Sequence, residues 1–135
     1  MNACVFCSDP SRAGDVVYED EHALVILHDD WACRGHAMVV AKRHVQNVSE
    51  LAAEEWSQLS ALYARAERAL LAITQCERAI VMKLGIATPH LHLHIYPVRA
   101  ATDRTAVMQI INAEVREPRD QSLVDAVRGA LRDTK

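Results

Sequence analysis

The chain has 135 residues; half are hydrophobic and 24% charged, in both signs, for a formal net charge of −3. That length and mixture fit one compact folded domain over 1–135 rather than a disordered chain. The acidic balance, with Lys42-Arg43 as the best local basic cluster, argues against a nucleic-acid polymer as partner. Met1 to Pro10 lacks the pattern of a secretory leader, and no apolar run approaches the roughly 20 residues that span a bilayer. These readings predict a cytoplasmic protein with no membrane partner. In a reducing compartment the four cysteines, Cys4, Cys7, Cys33 and Cys76, are metal ligands or buried thiols before they are disulfides.

In chain order, Val16 to Glu19 and Ala23 to Leu27 read as the two strands of a hairpin, separated by polar Asp20, Glu21 and His22. Ala37 to Ala41 is a third strand, entered through Arg34 and Gly35. A long helix is predicted over Ser49 to Thr74, with Asn47 and Ser49 as capping residues and Glu50, Glu54 and Glu55 near its positive end. Its apolar positions Trp56, Leu59, Leu62, Ala66, Leu70 and Ile73 recur at steps of three and four and form one core-facing stripe. Ala79 to Leu84 is the next strand, broken by Gly85 to Pro89, and Leu91 to Val98 the last. Beyond Ala101 the pattern turns helical: Val107, Ile110, Ile111 and Val115 form a weak face, and Leu123, Val127 and Leu131 a second. Strands around one long helix predict an α+β fold with a mostly antiparallel sheet and a C-terminal helical segment.

The informative segment is His90-Leu91-His92-Leu93-His94-Ile95. Side chains alternate along a strand, so the three histidines share one face while Leu91, Leu93 and Ile95 share the other. The outer two histidines stand about 13 Å apart, whereas metal–nitrogen bonds are about 2.0–2.1 Å long. Three such rings cannot easily converge on one ion, so the run divides its labour. Cys4-x-x-Cys7 is spaced as half of a zinc clamp. A thioredoxin-like redox pair competes, but it expects a strand ahead of the motif, and only three residues precede Cys4.

The His90–Ile95 run resembles the signature of the histidine-triad (HIT) family. Gly35-His36-Ala37-Met38-Val39-Val40-Ala41-Lys42-Arg43-His44-Val45 resembles that family's second block, and Cys4-Val5-Phe6-Cys7 with Val17-Tyr18-Glu19-Asp20 resembles the start of its bacterial members. The resemblance covers about residues 4–98, leaving 101–135 as a C-terminal extension that could shape the leaving-group side. It implies a HIT-like fold and a nucleotide hydrolase or nucleotidyl transferase, a phosphoramidase or dinucleoside polyphosphate hydrolase for example, that forms a covalent nucleotidyl-histidine. His92 would be the nucleophile, with His94 and His36 as hydrogen-bond donors to the phosphate or leaving group. Zinc would be structural, on Cys4, Cys7, His44 and His90. Asp29 or Asp30 would meet ribose hydroxyls, although a solvated loop acid is the better default for either. Ile86 stands where many members carry an amide, so Thr88 or backbone N–H groups would have to serve the phosphate. His22 and His28 match no motif position and read as surface residues; Trp56 reads as core. The family implies a homodimer. Two other classes compete: a non-catalytic nucleotide-binding regulator, and a hydrolase with a catalytic ion on His92, His94 and His36.

Overall fold

The structure is a computed structural model that describes residues 4–133. Met1 to Ala3 of the N-terminal segment and the last two residues of the 101–135 extension lie outside the described residues. A four-residue helix, α1 (Val5–Ser8), leads through a 3-10 turn into β1 (Gly14–Glu19), β2 (Ala23–His28) and β3 (Ala37–Ala41). Helix α2 (Ala53–Thr74), β4 (Arg78–Met82), β5 (His92–Val98), α3 (Arg104–Ile111) and α4 (Gln121–Asp133) follow. The five strands form one sheet in the order β1-β2-β3-β5-β4, every pairing antiparallel.

The first hairpin closes where Asp20 accepts the backbone N–H groups of His22 and Ala23 at 2.8 and 2.9 Å, the side-chain turn that aspartate favours. The central strands β2 and β3 are buried almost throughout, and the sheet carries apolar residues on both faces. On one face Val25, Leu27, Val39, Leu91 and Ile95 pack under Leu59, Leu62, Ala66 and Leu70 of α2 and Leu123, Val124, Val127 and Leu131 of α4. On the other, Leu24, Ile26, Met38 and Val40 pack with Phe6. Register carries this division into β5: His92 pairs with Val40 and His94 with Met38, so the two rings rise from the second face.

Three local expectations are corrected. The long helix starts at Ala53, not Ser49. Asn47 and Glu50 close a box around the short turn Val48–Glu50, and Leu51 is extended at φ −81°, ψ 144°; Glu55 then accepts the Ala52 N–H at 2.8 Å. The chain thus caps twice within a few residues, and the first cap belongs to a separate turn. Trp56 is not core: it is 39% exposed, because the stripe that meets the sheet begins at Leu59. It lines a shallow apolar depression of ≈ 250 Å³ with Ser60, Tyr63, Val81 and Leu93. In the extension, α4 packs on the face away from the histidines, against α2 and β1. On the histidine side the extension places α3, whose Ile110 and Ile111 lie on Ala32, Cys33 and Tyr96, and Arg116, which pairs with Asp30 at 2.7 Å. Among the described residues no helix is long and apolar enough to cross a membrane.

Gly35 turns the chain into β3 with φ +83°, and a Cβ there would stand 2.9 Å from Thr74 Cγ2. Both the left-handed backbone and the fixed methyl oppose a side chain. Gly35→Ala is expected to lower unfolding free energy by about 1–3 kcal/mol, measured as a shift in urea midpoint with unchanged slope.

Candidate active site

Four donors gather at the N-terminal end of the histidine run. Cys4 Sγ and Cys7 Sγ lie 3.3 and 3.5 Å from His90 Nδ1, Cys7 Sγ lies 3.3 Å from His44 Nδ1, and the two Nδ1 atoms are 3.0 Å apart. His90 Nε2 lies 2.5 Å from the Ala41 carbonyl. A carbonyl only accepts, so Nε2 carries the proton and Nδ1 turns a lone pair toward the sulfurs. Two soft sulfurs and two imidazole nitrogens within 4.8 Å of one another, with a carbonyl orienting one ring from behind, form a donor set compatible with zinc. Cys33 and Cys76, away from this cluster, are free thiols; burial pushes Cys33 up to about 12.

His92, two residues on, is 8% exposed. Its Nδ1 lies 2.6 Å from the His90 carbonyl, so Nδ1–H donates and the lone pair is on Nε2. His94 and His36 follow in a directional chain. The Ala32 N–H donates to His36 Nδ1 at 3.3 Å; the proton of neutral His36 is then on Nε2, which meets His94 Nδ1 at 2.9 Å. His94 is left with its proton on Nε2. Tyr96 stacks on His94 with centroids 5.7 Å apart at 7°, and packs on His36 at 4.4 Å.

His92 and His94 line a cavity of ≈ 420 Å³ together with His28, Asp29 and Thr88. Its remaining wall is mostly apolar: Val5, Phe6 and Met38 on one side, Met82, Leu84 and Ile86 on the other. Among the described residues no lysine or arginine lines it. Asp30, the alternative to Asp29, is instead paired with Arg116 at 2.7 Å. Thr88 also accepts the His90 N–H through its carbonyl at 2.8 Å. Ile86, in the place expected for an amide, is 82% exposed at the cavity lip.

Residues 10–101, more than half of the chain, match the family model of the HIT domain. The chain belongs to the HIT family. Proteins of this family are in general nucleotide-binding hydrolases or transferases. This HIT protein is 29% identical over 126 residues to protein hit of Bacillus subtilis, covering 87% of this chain and 86% of that one. Among solved structures it resembles a histidine triad nucleotide-binding protein of Sulfolobus tokodaii, with a TM-score of 0.73 at 21% identity over 96% and 93% of the two chains. It also resembles a Zn-bound histidine triad family protein of Mycobacterium smegmatis, with a TM-score of 0.71 at 26% identity over 96% and 94%.

One site residue escapes the sequence reading. His28 is not a free surface residue: it stacks on His36 at 4.4 Å and 8°, lies 5.8 Å from His94, and lines the cavity of this HIT protein. The available signal was the two-residue period of β2, which puts His28 on the face of Leu24 and Ile26. What brings it to His36 is cross-strand pairing, since the His28 N–H donates to the His36 carbonyl at 2.9 Å. His28, His36 and His94 offer nitrogens within 4.8 Å of one another. They are poor ligands as arranged, because each Nδ1 lone pair is occupied: Asp30 N–H donates to His28 at 3.0 Å, and His36 and His94 are filled as described above. Asp29 Oδ1 stands 3.2 Å from His28 Nδ1; with the amide proton in place this is a close approach, which protonation of His28 would convert into an ion pair.

Burial, more than neighbouring charge, pushes His36 down to about 2 and His94 to about 3. Folded, both rings stay neutral well into acid, whereas the unfolded chain protonates them near about 6.5. As pH falls below that value the unfolded state takes up protons that the folded state refuses. Stability is therefore full above about pH 6.5 and lost on acidification, by up to about 1.4 kcal/mol per pH unit for each histidine. Urea midpoints are expected to decline below that pH, and to decline less steeply in His94→Asn.

Proposed function

We propose that this HIT protein cleaves a nucleoside phosphate ester, anhydride or phosphoramidate through a covalent nucleotidyl intermediate on His92. The observation that carries this reading is the 2.6 Å contact of His92 Nδ1 with the His90 carbonyl, which makes Nε2 of a cavity-lining ring the nucleophilic nitrogen. A neutral imidazole is the reactive form, and burial holds His92 below its ordinary value, so the ring stays neutral at pH 7.

In the first step Nε2 attacks the α-phosphorus, a P–N bond forms and the bond from phosphorus to the leaving group breaks. The phosphorylated ring carries positive charge, which the Nδ1–H shares with the His90 carbonyl. His94, held with Nε2–H outward by the His36 chain, gives a hydrogen bond to the departing atom or a phosphoryl oxygen. A neutral His94 stabilises developing charge there without surrendering its proton. The leaving group takes its proton from solvent water as it departs; in the second step water attacks phosphorus, the P–N bond breaks, His92 returns neutral and the attacking water's proton goes back to solvent. Asp29 on the cavity wall suits ribose hydroxyls, and Thr88 suits a phosphate oxygen. Zinc on Cys4, Cys7, His44 and His90 would have four protein ligands and no open position, so its contribution is structural.

Rapid quench after mixing with adenosine and guanosine phosphoramidates and dinucleoside polyphosphates is expected to show a nucleotidyl adduct by intact-protein mass spectrometry. His92→Ala is expected to lack the adduct and lose about 10³-fold or more in turnover. Nucleotide binding without any adduct on the wild type would instead make this a non-catalytic binding module.

We also propose a homodimer through the edge formed by β4 and the start of α2. An unpaired edge strand beside an apolar depression invites a partner, and Val81 is 54% exposed next to Trp56. Trp56→Glu is expected to shift sedimentation toward the monomer without changing far-ultraviolet circular dichroism.

A further inference from the structure

The zinc-compatible cluster and the cavity share no residue but draw on the same segment of chain. Between Cys4 and Cys7 lie Val5 and Phe6, and both line the cavity. Phe6 is 7% exposed. Its ring packs against two histidines at once, 5.0 Å from His92 at 50° and 5.4 Å from His90 at 58°. Tilted pairs at such distances are attractive and restrict ring rotation. The next ring along the strand, His94, meets His92 edge-on at 5.0 Å. His92 is thus held between two rings, with one hydrogen bond setting which nitrogen faces the cavity.

What holds Phe6 is not α1 itself. One turn of four residues has no independent stability, α1 has no side-chain cap, and Phe6 is its one buried residue. The anchors are the small cluster with Leu24, Ile26, Met38 and Val40 and the two cysteines on either side. The carbonyl that accepts the His92 Nδ1–H belongs to His90, whose ring is itself tied to the cysteines and to Ala41. Both constraints on His92, the carbonyl and the packed ring, therefore run back to the same four donors. The main core under α2 and α4 draws nothing from α1, so it can survive release of this segment.

We propose that the Cys4–Cys7 segment is a working wall of the nucleotide pocket, with Phe6 as a positioning residue that clamps the His92 ring against the His90 carbonyl. Zinc on Cys4, Cys7, His44 and His90 would keep that clamp closed, so metal occupancy governs the pocket while the fold persists. The inference rests on His92 as nucleophile for its kinetic readout, but the orientation of the ring can be read without turnover.

The test compares wild type with Phe6→Ala and Phe6→Leu, each with zinc content measured, and with chelator-treated wild type before and after zinc is returned. Histidine-labelled protein reports the His92 Nδ1–H as a slowly exchanging nuclear magnetic resonance signal; calorimetry with adenosine 5′-monophosphate reports the pocket; quench reports adduct formation. In Phe6→Ala and in chelated wild type, still folded by circular dichroism, the Nδ1–H signal is expected to broaden or vanish and nucleotide affinity to fall. Adduct formation should slow about 10–100-fold, as for a misplaced reacting group. Phe6→Leu, which keeps most of the apolar volume, should recover most of the loss, and so should returning zinc. A protected Nδ1–H and unchanged affinity in folded, chelated wild type or in Phe6→Ala overturns the proposal. If Phe6→Ala does not fold, Phe6→Leu and the chelated protein decide. Should wild type form no adduct at all, the catalytic reading fails, while the ring signal and nucleotide affinity still decide the clamp.

Discussion

A 2.6 Å hydrogen bond joins the His92 ring to the backbone of His90, and it exists because β5 has two different faces. Leu93 and Ile95 face the core below α2, while His92, His94 and Tyr96 face the opposite side. The buried face anchors the strand; the other face is then free to present imidazoles at fixed spacing. Loss of that anchorage would remove the spacing on which every contact of the site depends.

From this strand the polar network grows in two directions without mixing. Toward the N-terminus, His90 turns Nδ1 to two sulfurs and Nε2 to the Ala41 carbonyl, an arrangement suited to a closed metal centre. Toward the C-terminus, one amide proton from Ala32 sets the tautomer of His36, and His36 sets that of His94. Burial keeps both of these rings neutral, so the chain keeps its direction across the physiological range. A charged ring anywhere in it would put two protons against each other.

The cavity in front of these rings is apolar over most of its wall and carries one acid, Asp29. With no lysine or arginine among its described lining residues, phosphate would be met by neutral N–H and O–H donors. Such donors are effective where water is largely excluded. The cost of this design is dependence on placement, since a neutral donor has no long-range field to compensate for a misdirected bond.

Much of this was legible in the chain itself. The alternation His90-Leu91-His92-Leu93-His94-Ile95 assigns each ring to a face because a strand's period is two, and the helical repeat at Leu59, Leu62, Ala66 and Leu70 marks the covering layer. Cys4-x-x-Cys7 announces half of a donor set by its spacing. Local signals were weaker where two of them competed: Asn47 caps a separate turn, which displaced the predicted start of α2, and Trp56 continues the helical stripe past the edge of the sheet it would have to meet. Only the tertiary structure could bring Cys7 to His44, His28 to His36, and Phe6 onto His92, for each pair is joined by strand register or by the path of a loop. Periodicity within a segment is a property of backbone geometry and can be read residue by residue; adjacency between segments is set by how their buried faces pack, and no single stretch of sequence contains it.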